Sequence, residues 1–227
     1  MAHRLRDVRV RHLYIRRVLR RAISKAVRKW ASGVVLDVGC GTKRYADIVG
    51  EVAKRHVGLD HPSTYHAKDS IDVFGLADAL PFSTNSVDTV FCTEVLEHLE
   101  TPQVTVDESF RCLRPGGVAI FTCPFIWHIH EAPRDFYRYS PYGLRWLFEN
   151  AGFEVVELNP LNRFWTTFGQ LLVYKLNSYN RGVVRLVPVI PLLILLMQGG
   201  LVLLDLLPGS DEWPSHHLIV ARKPSPA

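Results

Sequence analysis

The stretch Val34-Val35-Leu36-Asp37-Val38-Gly39-Cys40-Gly41-Thr42 decides the fold. An apolar run of strand length ends in an acid and a turn carrying two glycines. It reads as a buried strand whose exit lets the backbone approach a ligand, because glycine takes φ values that a side chain forbids. A second short strand, His56-Val57-Gly58-Leu59-Asp60, also ends in an acid. It follows the glycine turn by roughly 20 residues, the interval at which nucleotide-binding α/β folds hold a ribose diol.

Outward from these two strands, strand and helix signals alternate. Strands are predicted at 34–38, 57–60, 71–76, 87–92, 118–123, 153–158 and 217–222, and helices near 43–50, 102–113 and 140–151. Gly152 supplies a stop for the last helix. The pattern predicts an α/β fold, a Rossmann-like, doubly wound seven-stranded sheet. Four segments follow: a basic amphipathic helix (1–31), a nucleotide-binding domain (32–158), a hydrophobic insertion (159–215), and a last strand with its tail (216–227).

Five motifs stand in order: Leu36 to Gly41, Asp60, Leu80-Pro81-Phe82, Val95-Leu96-Glu97-His98-Leu99 and Leu113-Arg114-Pro115-Gly116-Gly117. Here the chain resembles the class I S-adenosylmethionine (SAM)-dependent methyltransferases, and within them the type 11 branch. The resemblance covers about residues 30 to 158. It implies SAM as cofactor and a hairpin of the last two strands beside strand five. It also implies roles for the cofactor-side residues. Gly39, Cys40 and Gly41 pass the methionine portion, Asp37 faces its ammonium, and Asp60 takes both ribose hydroxyls. Asp78 and Ala79 meet the adenine, and Thr93 lines the same side. Lys43-Arg44-Tyr45 departs from the small residues of many relatives and resembles a sub-branch with a Gly-Cys-Gly-x-x-x-Tyr turn. A hydride-transferring dehydrogenase is disfavoured, since no third glycine follows Gly41.

His130-Glu131-Ala132-Pro133-Arg134-Asp135-Phe136-Tyr137-Arg138-Tyr139-Ser140 resembles the second signature of that sub-branch. It lies after strand five, where an acceptor enters. His98, His130, Glu131 and Asp135 are the candidate bases or acceptor contacts. For His98 the competing reading is a turn histidine tied to Glu94 or Glu97, and for the loop a rigid scaffold held by Asp135 and Arg138. The His-x-His-Glu cluster raises a divalent metal, but no third strong oxygen ligand is evident, so no metal is expected.

Composition adds two features. The net charge of +5 is uneven: residues 1–30 hold eleven Lys/Arg and one acid, and the remainder is net acidic. In that segment Ile15, Val18, Leu19, Ala22, Ile23, Ala26, Val27 and Trp30 follow helical spacing. The helix either lies on an anionic membrane or packs its stripe on the sheet; nucleic acid is not expected. The four cysteines show no Cys-x-x-Cys pair and read as reduced core thiols of a cytosolic protein. The segment is also too arginine-rich to read as a secretory signal.

The second feature is the insertion. Leu186 to Leu204 is nineteen residues without a formal charge, interrupted by Pro188 and Pro191. Topology argues against a single span, because the strands on either side share one sheet and therefore one side of any membrane. The readings left are a helical hairpin dipping into one leaflet, two helices that both span, a lid, or an oligomer interface. The expectation is a methyltransferase peripherally bound to the inner membrane face through 1–30 and 160–208. Its acceptor would be a hydroxyl of a lipid-linked sugar or an envelope lipid. A quinone or isoprenoid methyltransferase, or a non-catalytic SAM-binding scaffold, are the alternatives.

Overall fold

The computed structural model describes residues 12–179, 189–207 and 212–226. Seven strands form one sheet: β1 (Gly33–Val38), β2 (Ala53–Asp60), β3 (Val73–Phe74), β4 (Val87–Thr93), β5 (Leu113–Pro124), β6 (Glu154–Leu161) and β7 (His216–Arg222). Their order is β3-β2-β1-β4-β5-β7-β6, with β7 antiparallel to both neighbours. The order reverses between β1 and β4, and ligands of open α/β sheets bind at the carboxyl ends beside such a reversal.

Side-chain alternation along the strands builds two cores. Leu36, Val38, Leu59 and Phe121 face Leu144 and Phe148 of one helical layer. Their neighbours Val35, Phe91, Ile120, Leu218 and Val220 face the other. The helices are α1 (Leu13–Trp30), α2 (Ala46–Val49), α3 (Pro102–Cys112), α4 (Pro141–Asn150), α5 (Phe164–Asn177) and α6 (Val189–Leu204). Proline opens α3 and α4, where its missing N–H costs nothing, and Ser140 Oγ caps α4 by accepting from Gly143 N at 3.2 Å.

Two predicted elements are shorter than their patterns. The strand expected at 71–76 shrinks to Val73–Phe74, because the Asp72 carboxylate takes the Gly58 amide at 2.7 Å and Lys43 Nζ at 2.5 Å. The helix expected over 43–50 starts only at Ala46, since Lys43 sits in the left-handed region at φ +47°.

In α1 the choice left open by the sequence resolves. Ile15, Leu19, Ile23, Ala26 and Val27 are buried against the sheet, so this apolar stripe is not available to a bilayer. Burial against a preformed sheet is the physical reason for the correction. Arg20 and Arg28 pair with Asp47 and Glu51, and Lys29 and Trp30 both reach Glu157. Arg17, Arg21 and Lys25 remain exposed on the outer face. The arginines among residues 1–11, and Leu186 to Pro188 of the uncharged run, lie outside the described residues.

The insertion leaves the sheet at Leu161 and returns at His216, which pair across the β6–β7 ladder. Between them α5 and α6 pack together, with Gly169 directly under Leu201; a Cβ at 169 would lie 2.1 Å from Leu201 Cδ1. Asp205 closes the base by accepting from the Trp165 and Thr166 amides at 2.9 and 3.1 Å, which satisfies orphan donors of the α5 N-terminus. At 16 residues, α6 is about 24 Å long against a hydrocarbon core of about 30 Å. Among the described residues, no helix is long and apolar enough to cross a membrane.

Candidate active site

The cofactor half is assembled at the carboxyl ends of β1 and β2. Gly39 and Gly41 adopt φ values of +70° and +52°, and a Cβ at Gly39 would stand 2.4 Å from Val95 Cγ2. Both observations exclude a side chain there. The turn is pinned by the Gly39 and Cys40 amides, which donate to Leu59 O at 2.9 and 3.0 Å. Asp60 is buried and accepts one backbone amide on each oxygen, Gly41 N and His61 N, both at 2.7 Å. That arrangement fixes the carboxylate plane and leaves each oxygen further lone-pair capacity for a diol.

Asp37 is buried and meets His56 Nε2 at 3.0 Å. Burial raises its pKa, and His56 opposes that rise. Its expected partner in the ligand therefore shares it with a resident imidazole that the sequence reading did not single out. Asp78 and Ala79 lie exposed at the rim, in the turn before the buried Leu80, and Thr93 is half-buried at the end of β4. The Lys43-Arg44-Tyr45 departure is in part structural: Lys43 braces the turn to Asp72, and the buried Tyr45 ring packs edge-on to Phe91 at 5.9 Å. Burial pushes the Cys40 thiol up to about 12, and all four cysteines are free and buried, so none is a ready nucleophile.

The acceptor half lies at the ends of β4 and β5. Two non-glycine residues there hold positive φ, Glu94 at +56° and Glu131 at +53°, and backbone strain of this kind gathers at ligand sites. Glu94 receives Thr122 Oγ1 at 2.7 Å and faces His216 Nε2 at 3.0 Å. Burial alone would raise its pKa, but His216 and Thr122 hold it below the ordinary value. The neighbouring Glu97 is fully buried with neither oxygen hydrogen-bonded. Burial, with the charge of Glu94, drives its pKa upward.

The loop after β5 is a braced scaffold. Asp135 receives Arg138 through two bonds of 2.7 and 2.8 Å and the His130 amide at 2.8 Å. Arg138 holds the carboxyl well below the usual range. Asp135, one of the candidate bases, is thereby spent on the brace; the guanidinium makes it too weak a base. His98 and His130 stand edge to face at 4.8 Å, beside Glu131, whose Oε1 accepts from Tyr65 OH at 2.6 Å. Burial and the neighbouring His98 lower the pKa of His130, so its imidazole is neutral and able to accept a proton near pH 7. Tyr65 belongs to the loop after β2, so its bond to Glu131 bridges the two halves of the cleft. Three of the named acceptor-side residues, His98, His130 and Glu131, converge, with Asp135 as support. Glu97 and His216 join them, and nothing in the sequence marked His216 beyond its place in the last strand.

A sheet in this order, with a glycine turn and a ribose-type acid at its switch point, defines the class I methyltransferase fold. The comparisons with known proteins agree, and narrow it. Residues 36–121, less than half of the chain, match the family described as "Methyltransferase domain". A probable S-adenosylmethionine-dependent methyltransferase of Mycolicibacterium smegmatis is 36% identical over 136 residues, covering 53% of this chain and 52% of the relative. The chain thus spans about half the length of the curated relatives it matches. Among solved structures, a Thermotoga maritima SAM-dependent methyltransferase aligns with a TM-score of 0.59 at 18% identity over 97% of both chains. A Haemonchus contortus phosphoethanolamine N-methyltransferase, in complex with S-adenosyl-L-methionine, aligns with a TM-score of 0.58 at 17% identity. It covers 90% of this chain and 53% of that one. At these identities the structural likenesses concern the fold.

Proposed function

We infer that the chain transfers the methyl group of SAM to an acceptor presented at a membrane surface, and that the acceptor is a hydroxyl of a lipid-linked sugar or an envelope lipid. One observation carries the reading: the apolar α5–α6 hairpin is exposed and is attached to the acceptor loop. Leu192, Leu196, Leu203, Leu206 and Trp213 are all more than half exposed, Leu206 at 76%. An apolar surface of this kind on a soluble fold marks an interaction site. Tyr174 of α5 packs on His128 and Trp127 with ring centroids 4.1 and 5.3 Å away, two residues before His130.

The same tyrosine meets His12 Nδ1 at 2.8 Å, so the chain enters α1 beside the hairpin. Apolar surface and basic segment therefore meet at one edge of the molecule, the pairing by which peripheral proteins hold anionic bilayers. In this reading Asp60 holds the ribose, Gly39 and Gly41 admit the methionine portion, and the cluster of His98, His130 and Glu131 receives the acceptor hydroxyl. The sulfonium leaves as a neutral thioether, so alignment of acceptor, methyl and sulfur supplies much of the rate.

The test joins sedimentation to turnover. Wild type should co-sediment with phosphatidylglycerol vesicles and form S-adenosylhomocysteine only when a lipid extract is added. Leu196→Glu/Leu203→Glu should stay in the supernatant while binding SAM normally. Turnover on water-soluble acceptors without vesicle binding would sink the membrane reading, and SAM binding without turnover on any extract would favour a scaffold.

A further inference from the structure

Three side chains at the carboxyl ends of β4 and β5 point at a common space without any hydrogen bond joining them. Glu97 Oε1 lies 3.7 Å from His98 Nε2 and 3.9 Å from His130 Nε2, and one ligand atom from each residue falls within 4.8 Å of the others. These separations are too long for hydrogen bonds. They approach the roughly 3–3.4 Å between donors that share an ion at about 2.0–2.1 Å.

Both imidazoles are turned for this. His98 Nδ1 lies 2.5 Å from the Arg134 carbonyl, and His130 Nδ1 lies 3.3 Å from the His128 carbonyl and 3.5 Å from Asp135. A carbonyl only accepts, so each Nδ1 carries the proton and each Nε2 presents a lone pair toward Glu97. Metal-ligating histidines are oriented through their other nitrogen in the same way. The buried Glu97 oxygens have no hydrogen-bond partner and lie beside two Nε2 lone pairs. A divalent cation that displaces any proton held there would engage all three side chains at once.

We propose that Glu97, His98 and His130 bind a divalent cation of the borderline class, Co²⁺ or Zn²⁺. Glu131, with Oε2 at 3.9 Å from His98 Nε2, stands beside the site on its solvent side. Imidazole and carboxylate together suit these ions better than Mg²⁺. Glu97 is the third ligand that the sequence reading lacked when it set a metal aside. Binding of the cation is independent of the methyl-acceptor reading; only its use rests on that reading. There the cation would make an acceptor hydroxyl more acidic, with Glu131 or water taking its proton. The new O–C bond would form as the C–S bond breaks and leaves its electron pair on sulfur.

The experiment titrates the tag-free, full-length chain with Co²⁺, follows the visible absorption bands, and measures SAM binding by calorimetry in parallel. A saturable one-to-one band, displaced by Zn²⁺, is expected. Glu97→Gln and His130→Ala should each weaken it at least about ten-fold, with melting temperature and SAM affinity unchanged. No saturable band up to about 1 mM Co²⁺, or wild-type affinity in either variant, would overturn the site. Failure of the methyl-transfer reading shows separately, as no S-adenosylhomocysteine from a chain whose cation and SAM sites are both filled.

Discussion

The cofactor half and the insertion are built on opposite terms. Around β1 and β2, buried acids and backbone amides satisfy one another: Asp60 takes two amides, and the Gly39 and Cys40 amides share one carbonyl. The hairpin instead leaves large apolar side chains in solvent and is tied down at its base by Asp205. A site for a fixed ligand can be completed inside the fold. A surface made to meet a partner outside the fold cannot, and the exposed apolar side chains of the hairpin are what the proposed membrane reading rests on.

Four changes test that contrast, the largest first. Asp60→Ala removes a charged acceptor and the anchor of the glycine turn, so SAM affinity measured by calorimetry should fall roughly 10²–10³-fold. A loss under three-fold would mean that the cofactor lies elsewhere. The next concerns the buried edge of the acceptor half. Burial lowers the His217 pKa to about 4, with the Tyr139 carbonyl opposing. Above pH 6.5 the imidazole is neutral in both folded and unfolded chains. Below it the unfolded chain binds a proton that the folded chain refuses until about pH 4. Stability should therefore drop by up to about 3 kcal/mol across that window. His217→Leu should flatten this part of the curve in urea unfolding, and an unchanged curve would count against the burial argument.

Within the insertion, Gly169→Leu forces α5 from α6 and should cost about 1–3 kcal/mol of hairpin docking. Protease sensitivity should rise there without loss of SAM binding; a coupled loss would erase the independence of the two halves. Asp205→Ala removes the cap of α5 and should cost about 1 kcal/mol. Amide exchange at Trp165 and Thr166 would report it.

What the sequence disclosed follows the same division. Leu36 to Gly41 and Asp60 could be read because a strand end, a glycine and an acid in fixed intervals have few other uses. The sheet followed from alternation, and the hairpin of β6 and β7 from the resemblance. Glu97 was hidden inside an ordinary helix-like pentapeptide, and only the fold carries His130, about thirty residues away, to its side. Lys43 and Asp72 shortened two elements through side-chain bonds that periodicity does not register. In α1 the pattern fitted a bilayer and a sheet equally well, since both bury an apolar stripe; only packing decides between them.

The rung that joins Leu161 to His216 has a consequence for the history of the molecule. Ser215 N donates to Leu161 O at 3.1 Å, and Asn162 reaches Ser215 at 2.9 Å, so the insertion leaves and rejoins the sheet at adjacent points. A tight turn could replace it without disturbing a strand. The hairpin is in that sense an exchangeable attachment, and a lineage could trade one such hairpin for another while the sheet beneath stayed as it was.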